Sequence, residues 1–588
     1  MSHFRYTFRT FRKHRSGSIL ALVMILVVVL TLTGFAMIKA AEGKIIQSVR
    51  IKSQESAASA AEAAYEKASF WMSQQVDMLS SLQSSQVSGA LNFTQSSADY
   101  AVSLVSFVGA RPVFKIQTNG YNGIYQKTIT AYVVQSVAGW EMGQCRIPSG
   151  ESSTAEVNFV TGEILAIPIH INDLRDNPDK RDIYISGIPS FLDRVSLGES
   201  RYTTSGDDKY SSVMGLFQGG VAFKQPASRV FDSVAIASKV NRFRTTTNAT
   251  YCYTPSKIAL PKDDLGKTGF YTSTVTDLPA VQLKFYVNGN GQGMVRIYND
   301  CTVAGYTRSG NATWDYKIDP AGSGTTFVKY PIYGCHYSSG AYTDVRIDDP
   351  SSPIYVRQNI GGVQSAPGAQ IYINGNVVIG CDSTGDTALG TLNTVKGQIS
   401  VVASGNIWIA NELNVAGTRD ADGKPSQDNI NVVGLISQGV IKVIDTGMTT
   451  SPDNMLYSVG DYNATKVANY CPIGSAEGSV TYDRALPRNM TVEAAITVGG
   501  GGWGAENVAY SASGRETSVT GSNDNLIIRG SITEAFRGIV GKGTNGYLKQ
   551  YYYDKRLMTG ILPGNIGLKG KYLLIPGGWS ESNTIKSQ

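Results

Sequence analysis

Between Ser16 and Ile38 the chain runs for 23 residues without a charged side chain, as "SGSILALVMILVVVLTLTGFAMI". As a helix, Ser18–Ile38 would be about 31 Å long, enough to cross the hydrocarbon core of a bilayer. Arg5, Arg9, Arg12, Lys13 and Arg15 precede the run, and residues 1–17 hold no acid. That asymmetry predicts a cytoplasmic N-terminus and translocation of everything that follows. Three fates fit these residues. The run can be a secretion signal cut near Gly34-Phe35-Ala36, an uncleaved anchor, or a helix retained after a short leader is removed. A secretion signal has an apolar region of only about 7–15 residues, so this run is long for one.

The apolar run does not stop in a turn. It continues without proline to Leu79 through many good helix formers. Ala57, Ala61, Ala64, Ala68 and Trp71 recur at spacings of three and four, which places them on one helical face. Small side chains there allow neighbouring helices to approach closely. The expectation is one helix over 18–85, with Ile19, Leu22, Ile25, Leu26, Val29, Leu32 and Phe35 in the membrane and the alanine face beyond it.

"RSGSILALVMILVVVLTLTGFAMIKAAEGK" followed by "RIKSQESAASAAEAAYEKASFWM" resembles the N-terminal segment of PilX-type minor pilins, over roughly residues 12–72. The resemblance implies a leader ending at Gly17 and a mature N-terminus at Ser18 after cleavage by a prepilin peptidase. It implies residence in a bacterial inner membrane, single-pass, with the C-terminal part periplasmic and reaching the cell surface on assembly. Its partners would be other pilin or pseudopilin subunits. Major pilins carry a glutamate at the fifth mature position, where this chain has Leu22. That departure points to an accessory subunit rather than the bulk of a filament.

Only 17% of the residues are charged, while glycine (63) and tyrosine (32) are abundant, a mixture that favours strands and turns over further helices. "YAVSLVSFVGARPVFKIQTNGYNGIYQKTITAYVV" predicts strands with Gly/Asn turns, assigned to a pilin-like β head over 86–155. Further on, an apolar-x-apolar run, a Gly or Asn, and a second such run recur. Examples are Ile371-Tyr-Ile373, Gly375 and Val377-Val-Ile379, then Val401-Val402, Gly405 and Ile407-Trp-Ile409. Gly and Asn supply the corners that a strand-to-strand bend needs. Stacked units of this kind make a β-helix or β-solenoid-like body, expected over 156–200 and 366–560. An antiparallel β-sandwich is the alternative. Residues 201–365 read as a Tyr/Gly/Thr-rich insertion, and 561–588 as a C-terminal tail. The fold class expected is therefore mainly β with one long N-terminal α-helix. Phrases such as "ISVVASGNIWIA" and "LIIRGSITEAFRGIVG" also resemble an uncharacterised domain found behind PilX-like N-termini in bacterial envelope proteins. That resemblance implies architecture and setting, and no catalytic role.

Chemistry is sparse. Cys145, Cys252, Cys301, Cys335, Cys381 and Cys471 all follow the apolar run and form no C-x-x-C pair. In a translocated domain they allow disulfides, with Cys252–Cys301 and Cys301–Cys335 as candidates; free buried thiols are the alternative. His170 lies in an alternating strand. His336 adjoins Cys335, and neighbours on an extended chain face opposite ways, which rules against a nucleophile–base pair. Asp173, Asp176, Asp179 and Asp182 form one acidic cluster, and Asp420, Asp422 and Asp428 another. Either could attract calcium, but the glutamate expected at the twelfth position of a calcium loop is Asn431, and solvated turns account for both. Gly499–Gly504 lacks the Lys-Ser/Thr of a phosphate loop. No metal or cofactor is expected. Residues 1–17 carry a charge of +5 out of the chain's +6, so no basic footprint for nucleic acid remains elsewhere. The functional expectation is a non-catalytic pilin-like accessory subunit with a large β-rich head at the tip or surface of a type IV pilus or secretion pseudopilus. A membrane-anchored adhesin with a surface ligand and an envelope polysaccharide-acting enzyme are the alternatives.

Overall fold

The computed structural model describes residues 15–82, 86–144, 157–172, 183–198, 203–204, 214–225, 233–256, 275–306, 316–317, 327–328, 332–336, 341–380, 389–444, 489–499, 502–505, 525–538, 540–542, 545–565 and 568–585. It is mainly β with one long N-terminal helix, α1 (Arg15–Ser73). The helix ends at Ser73 rather than near 85, where the chain tightens through Gln74 and Gln75 into a short turn at Met78–Ser81.

The C-terminal half of α1 lies on an antiparallel sheet. Strands β1 (Gln86–Asn92), β2 (Ser97–Val108), β3 (Arg111–Asn122) and β4 (Tyr125–Val137) follow one another as a meander. The fifth strand is Leu568–Ile585, which pairs antiparallel with β4. Leu568–Ile585 is therefore no detached tail: Tyr572 packs edge-on against Phe114 at 5.8 Å, and Trp579 against Tyr65 at 5.1 Å. The core between helix and sheet holds Ala68, Met72, Leu79, Phe114, Ile116 and Val133. At Gly120 of β3 an added Cβ would lie 2.5 Å from Ala61 N and still closer to Ala57 O. Helix backbone and sheet backbone thus meet with no side chain between them.

Most of the remaining described strands build parallel sheets. One ladder runs in the order Val221–Ala222, Val195–Leu197, Ile169–Ile171, Trp140–Gln144, Asn525–Phe536, Ala495–Val498, Val432–Ser437, Gln398–Ala403, Gly368–Ile373 and Cys252–Tyr253. Every pairing along it is parallel, unlike the antiparallel alternative. A second parallel ladder joins Val275–Val287, Asn376–Ile379, Ile407–Ile409, Val440–Val443 and Gly502–Ala505. A third joins Met490–Val492, the first half of Asn525–Phe536, Leu548–Tyr553, Ile164–Ala166 and Ser190–Phe191. The sheets are not closed. Their inward residues form one apolar core with Ile371, Val401, Leu435, Ile496 and Ile532 in line.

The Gly/Asn corners work partly as the sequence implies. Gly375 takes φ +147°. Gly405 and Gly439 serve a different need, close approach. Asn376 Oδ1 accepts from Asn406 N at 3.0 Å, and Asn406 Oδ1 from Val440 N at 2.9 Å. A Cβ on either glycine would run into these stacked amides.

The order of the first ladder shows how the chain travels. It enters the body at Trp140 in the middle and steps outward to Val221–Ala222 at one end. The helix Ser233–Thr246 then leads back across the outside, burying Ile236, Val240 and Phe243 against Tyr372, Val402, Val432 and Ile436. The chain restarts at Cys252–Tyr253 at the opposite end and climbs back to Asn525–Phe536. The described parts of residues 201–365 are thus joined to the body: they supply the crossover helix and both ends of the first ladder. The hairpin Val275–Val287 and Gly293–Tyr306 extends the second sheet.

The two halves meet where Ile532 pairs with Trp140. Here Glu534 is buried, accepting from Trp140 Nε1 at 2.8 Å, Trp503 N at 2.8 Å and Gly538 N at 3.2 Å. Burial pushes its carboxyl up to about 7, against the pull of those three donors. A carboxyl whose folded pKa exceeds its unfolded value of about 4.5 contributes stability fully below that value and loses it as pH rises toward about 7. The unfolding free energy of the wild-type chain should therefore fall between about pH 4.5 and 7 by more than that of Glu534→Gln, the difference reaching at most about 3 kcal/mol and lowering the wild-type thermal midpoint accordingly. Parallel melting curves of the two proteins across this range check it.

Candidate functional site

The candidate site is α1 and the groups that hold it. Ile19, Leu22, Ile25, Leu26, Val29, Leu32 and Phe35 are all exposed, Leu22 at 68%. An apolar helix left bare over this length is stable only in a non-aqueous surrounding. The helix is long and apolar enough to cross a membrane, and the window that satisfies this is unburied. Thr31 and Thr33 donate their hydroxyls to Val27 O at 2.6 Å and Val29 O at 2.8 Å, so neither presents an unsatisfied donor to an apolar medium. Charge begins at Lys39, which pairs with Glu42 at 2.8 Å. From Ile19 to Lys52 the helix stands clear of the protein over about 50 Å. Gly17 lies in the first turn of α1 and is followed by Ser18.

From Ala57 the surroundings change. Ala57, Ala61, Ala64 and Ala68 are buried, and Trp71 is partly buried. Their partner is the chain's own sheet, not another helix as the periodicity alone implied. Thr118 Oγ1 of β3 donates to Ala61 O at 3.0 Å. Helical spacing fixes which residues share a face, but not what covers that face.

A buried charge cluster joins this head to the parallel body, and sequence reasoning missed it. Asp77, just after α1, faces Lys239 and Arg242 of the crossover helix, and all three are buried. Arg242 Nε donates to Asp77 Oδ2 at 2.7 Å, its Nη1 to Gln358 Oε1 at 2.8 Å, and both Nη atoms to Gly564 O at 3.3 Å. Burial alone would raise the Asp77 carboxyl, but the Arg242 charge and hydrogen bond hold it below its ordinary value. Burial lowers Lys239 to about 8, and its Nζ has no hydrogen-bond partner among the described residues. The signal was present in "SVAIASKVNRFRTT", where Lys239 shares the helical face of Ile236, Val240 and Phe243 and Arg242 borders it on the side of Lys239. Two further ties cross the same junction: Arg111 Nη1 donates to Met558 O at 2.9 Å, and Ala110 N to Gly560 O at 2.7 Å.

The other candidates are placed as follows. Cys252 is a free thiol with Sγ 3.6 Å from Asn248 O, so the Cys252–Cys301 disulfide is not formed; the two residues lie in different sheets. Cys301 is buried. Cys335 stands opposite Val303 in a ladder. Cys145, Cys381 and Cys471 lie outside the described residues, as do Asp173, Asp176, Asp179 and Asp182. Asp420 spends Oδ1 on the backbone N–H groups of Asp422 and Lys424, at 3.0 and 2.8 Å, and Asp422 pairs with Lys424 at 3.2 Å. Among the described residues no His/Cys/Asp/Glu group could hold a metal ion. His170 contacts Asn172 Oδ1 at 3.1 Å within its own strand region.

No protein-family model matches the chain, and no curated protein matches it. Among solved structures, the competence-associated pilin ComZ from Thermus thermophilus aligns over 91% of this chain and 98% of its own, at 10% identity and a TM-score of 0.27. Overlap at that score carries no assignment.

Opposite outcomes are expected from the two basic members of the buried cluster. Arg242→Met leaves Asp77 buried and without its hydrogen-bonded partner, and should destabilise the protein by about 3–5 kcal/mol. Lys239→Met removes a buried ammonium and should stabilise it near pH 7 by about 1–3 kcal/mol. Denaturant unfolding of each variant checks both signs.

Proposed function

We propose that this chain is a non-catalytic pilin-like accessory subunit of a bacterial type IV pilus or related secretion pseudopilus. One observation carries the reading: a single helix is bare and apolar over its first half and buried on its own antiparallel sheet over its second. A plain membrane anchor needs only the first half. A subunit moved from a bilayer into a bundle of like helices needs an apolar helix that projects from a rigidly attached head.

The finer assignments follow from the same reading. A prepilin peptidase cuts between Gly17 and Ser18, the N-terminus is cytoplasmic, and the head is periplasmic before assembly. The basic residues ahead of the apolar run support that orientation. The absence of an acid at Leu22 supports a minor subunit of the PilX type. The body winds as a β-solenoid whose successive turns are rungs. In support, the paired strands Gly368–Ile373/Asn376–Ile379 and Gln398–Ala403/Ile407–Ile409 advance together in two ladders. A body of this bulk fits a tip or side position better than regular repetition along a shaft. The non-catalytic reading is supported by the buried carboxylates of Glu534 and Glu493, each saturated by N–H donors.

The mass of the N-terminal peptide from protein in its native membrane tests this. A chain beginning at Ser18, replaced by one with the leader when Gly17 is changed to Leu, is the expected result. A chain beginning just after Ala36 would make it an ordinary secreted β-protein and end the pilin reading. An intact leader in the wild type would leave a simple anchor.

A further inference from the structure

Where Thr394–Val395 pairs in parallel with Asn414–Val415 in a small sheet of its own lies an open cleft of about 470 Å³. Arg419 and Arg529 line it, and no carboxylate does. Val395 and Val415 point into the core, so their neighbours Thr394 and Asn414 lie on the outer side; the Thr394 hydroxyl donates to Leu392 O at 3.1 Å and is left as an acceptor.

Glu493 sits behind the two arginines, 3% exposed. Arg419 grips it with both arms, Nη1 to Oε1 at 2.7 Å and Nη2 to Oε2 at 2.9 Å. Arg529 Nη1 adds a bond to Oε1 at 2.8 Å, and Val415 N one to Oε2 at 2.8 Å. Burial would raise this carboxyl, but Arg419 and its other donors hold it below its ordinary value, so it is anionic. One negative charge against two positive leaves the wall with a surplus cation. Arg419 is further fixed by Gly423 O and Val415 O, each at 2.8 Å. The guanidinium of Arg529 is not saturated: Nη1 is spent on Glu493 and Nε is buried without an acceptor, while Nη2 makes no bond to a described residue and is the arm left for the cleft. The acids of the adjacent loop are engaged elsewhere, Asp420 with its own backbone, Asp422 with Lys424, and Asp428 with the hydroxyls of Ser426 and Thr418.

We infer that this cleft binds the carboxylate of an acidic sugar. A guanidinium held in place by a buried acid is a preorganised partner for a second, incoming carboxylate. Thr394 and Asn414 suit the hydroxyls of a sugar ring, and the wall offers no aromatic ring or long aliphatic chain to an apolar ligand. The inference stands on the body alone and is independent of what α1 does.

Calorimetric titration of the full chain in detergent micelles tests it, with a galacturonate trisaccharide, the neutral galactose trisaccharide, acetate and inorganic phosphate as probes. The uronate should bind and the neutral sugar should not, with affinity falling as salt is raised. Arg529→Gln should weaken binding about tenfold or more. Because that change also touches Glu493, Thr394→Glu serves as the second variant: it puts a carboxylate on the rim and leaves the Arg419–Glu493–Arg529 cluster intact. It should abolish uronate binding at an unchanged melting temperature. Equal binding of uronate and neutral sugar, or uronate binding indifferent to both variants, would overturn the inference. So would acetate and phosphate binding as well as the uronate, which would mark a general anion site only. Tighter binding of a peptide with a free C-terminal carboxylate would replace the sugar by a protein partner.

Discussion

The close contact between α1 and β3 is the constraint on which the rest depends. At Gly120 the helix backbone around Ala57 and Ala61 rests on the sheet backbone, and Thr118 donates to Ala61 O across the gap. Larger residues on either side would lift the helix away. With it would go the burial of Met72, Leu79 and Phe114 and the placement of Asp77 against Arg242. Through this contact a helix whose first half needs an apolar surrounding becomes a rigid handle on a folded head.

From the head, rigidity passes to the body. Arg242 ties Asp77 to Gln358 and Gly564, so residues far apart in sequence share one guanidinium. The charges are buried and paired, an arrangement that adds little net stability but makes each partner costly to remove. The body also depends on the seam at Glu534. Its strands climb from Cys252 toward Asn525 and are completed by the segment that begins at Trp140, so the earliest and latest body strands meet in the middle. A mispaired seam would leave the ends of both halves as open parallel edges, which is the physical reason for a buried indole–carboxylate bond at that point.

Much of this was legible in the residues, and what was not has a physical cause. The bare apolar half of α1 follows from composition, because the other uncharged runs of that length, such as 358–381, are broken up by Gly, Asn and Gln. The alanine face was legible as a face, whereas its partner was not, since Gly120 reveals its role only when β3 is placed. The Gly/Asn punctuation at 375 and 405 was readable as corners; the asparagine stack that makes glycine obligatory at 405, and also at 439, requires knowing which rungs are neighbours. The order of the rungs was hidden for the same reason, because Trp140 and Glu534 are 394 residues apart. The Glu493 cluster was missed because Arg419 looked like part of an acidic loop, and Arg529 sat in an otherwise apolar strand.

The central claim is that α1 passes through three surroundings: lipid, water and its own sheet. Nitroxide accessibility to oxygen and to a water-soluble nickel chelate, measured in bilayers with one labelled position at a time along α1, tests it directly. Labels at Leu22, Leu26 and Val29 should meet oxygen and not nickel. Labels at Ala41, Gln47 and Lys52 should meet nickel, and labels at Ala61, Ala64 and Ala68 should meet neither, or should release the helix from the sheet. Nickel access at Leu22 through Val29, or free access to both reagents at Ala64 with the head still folded, would contradict the account.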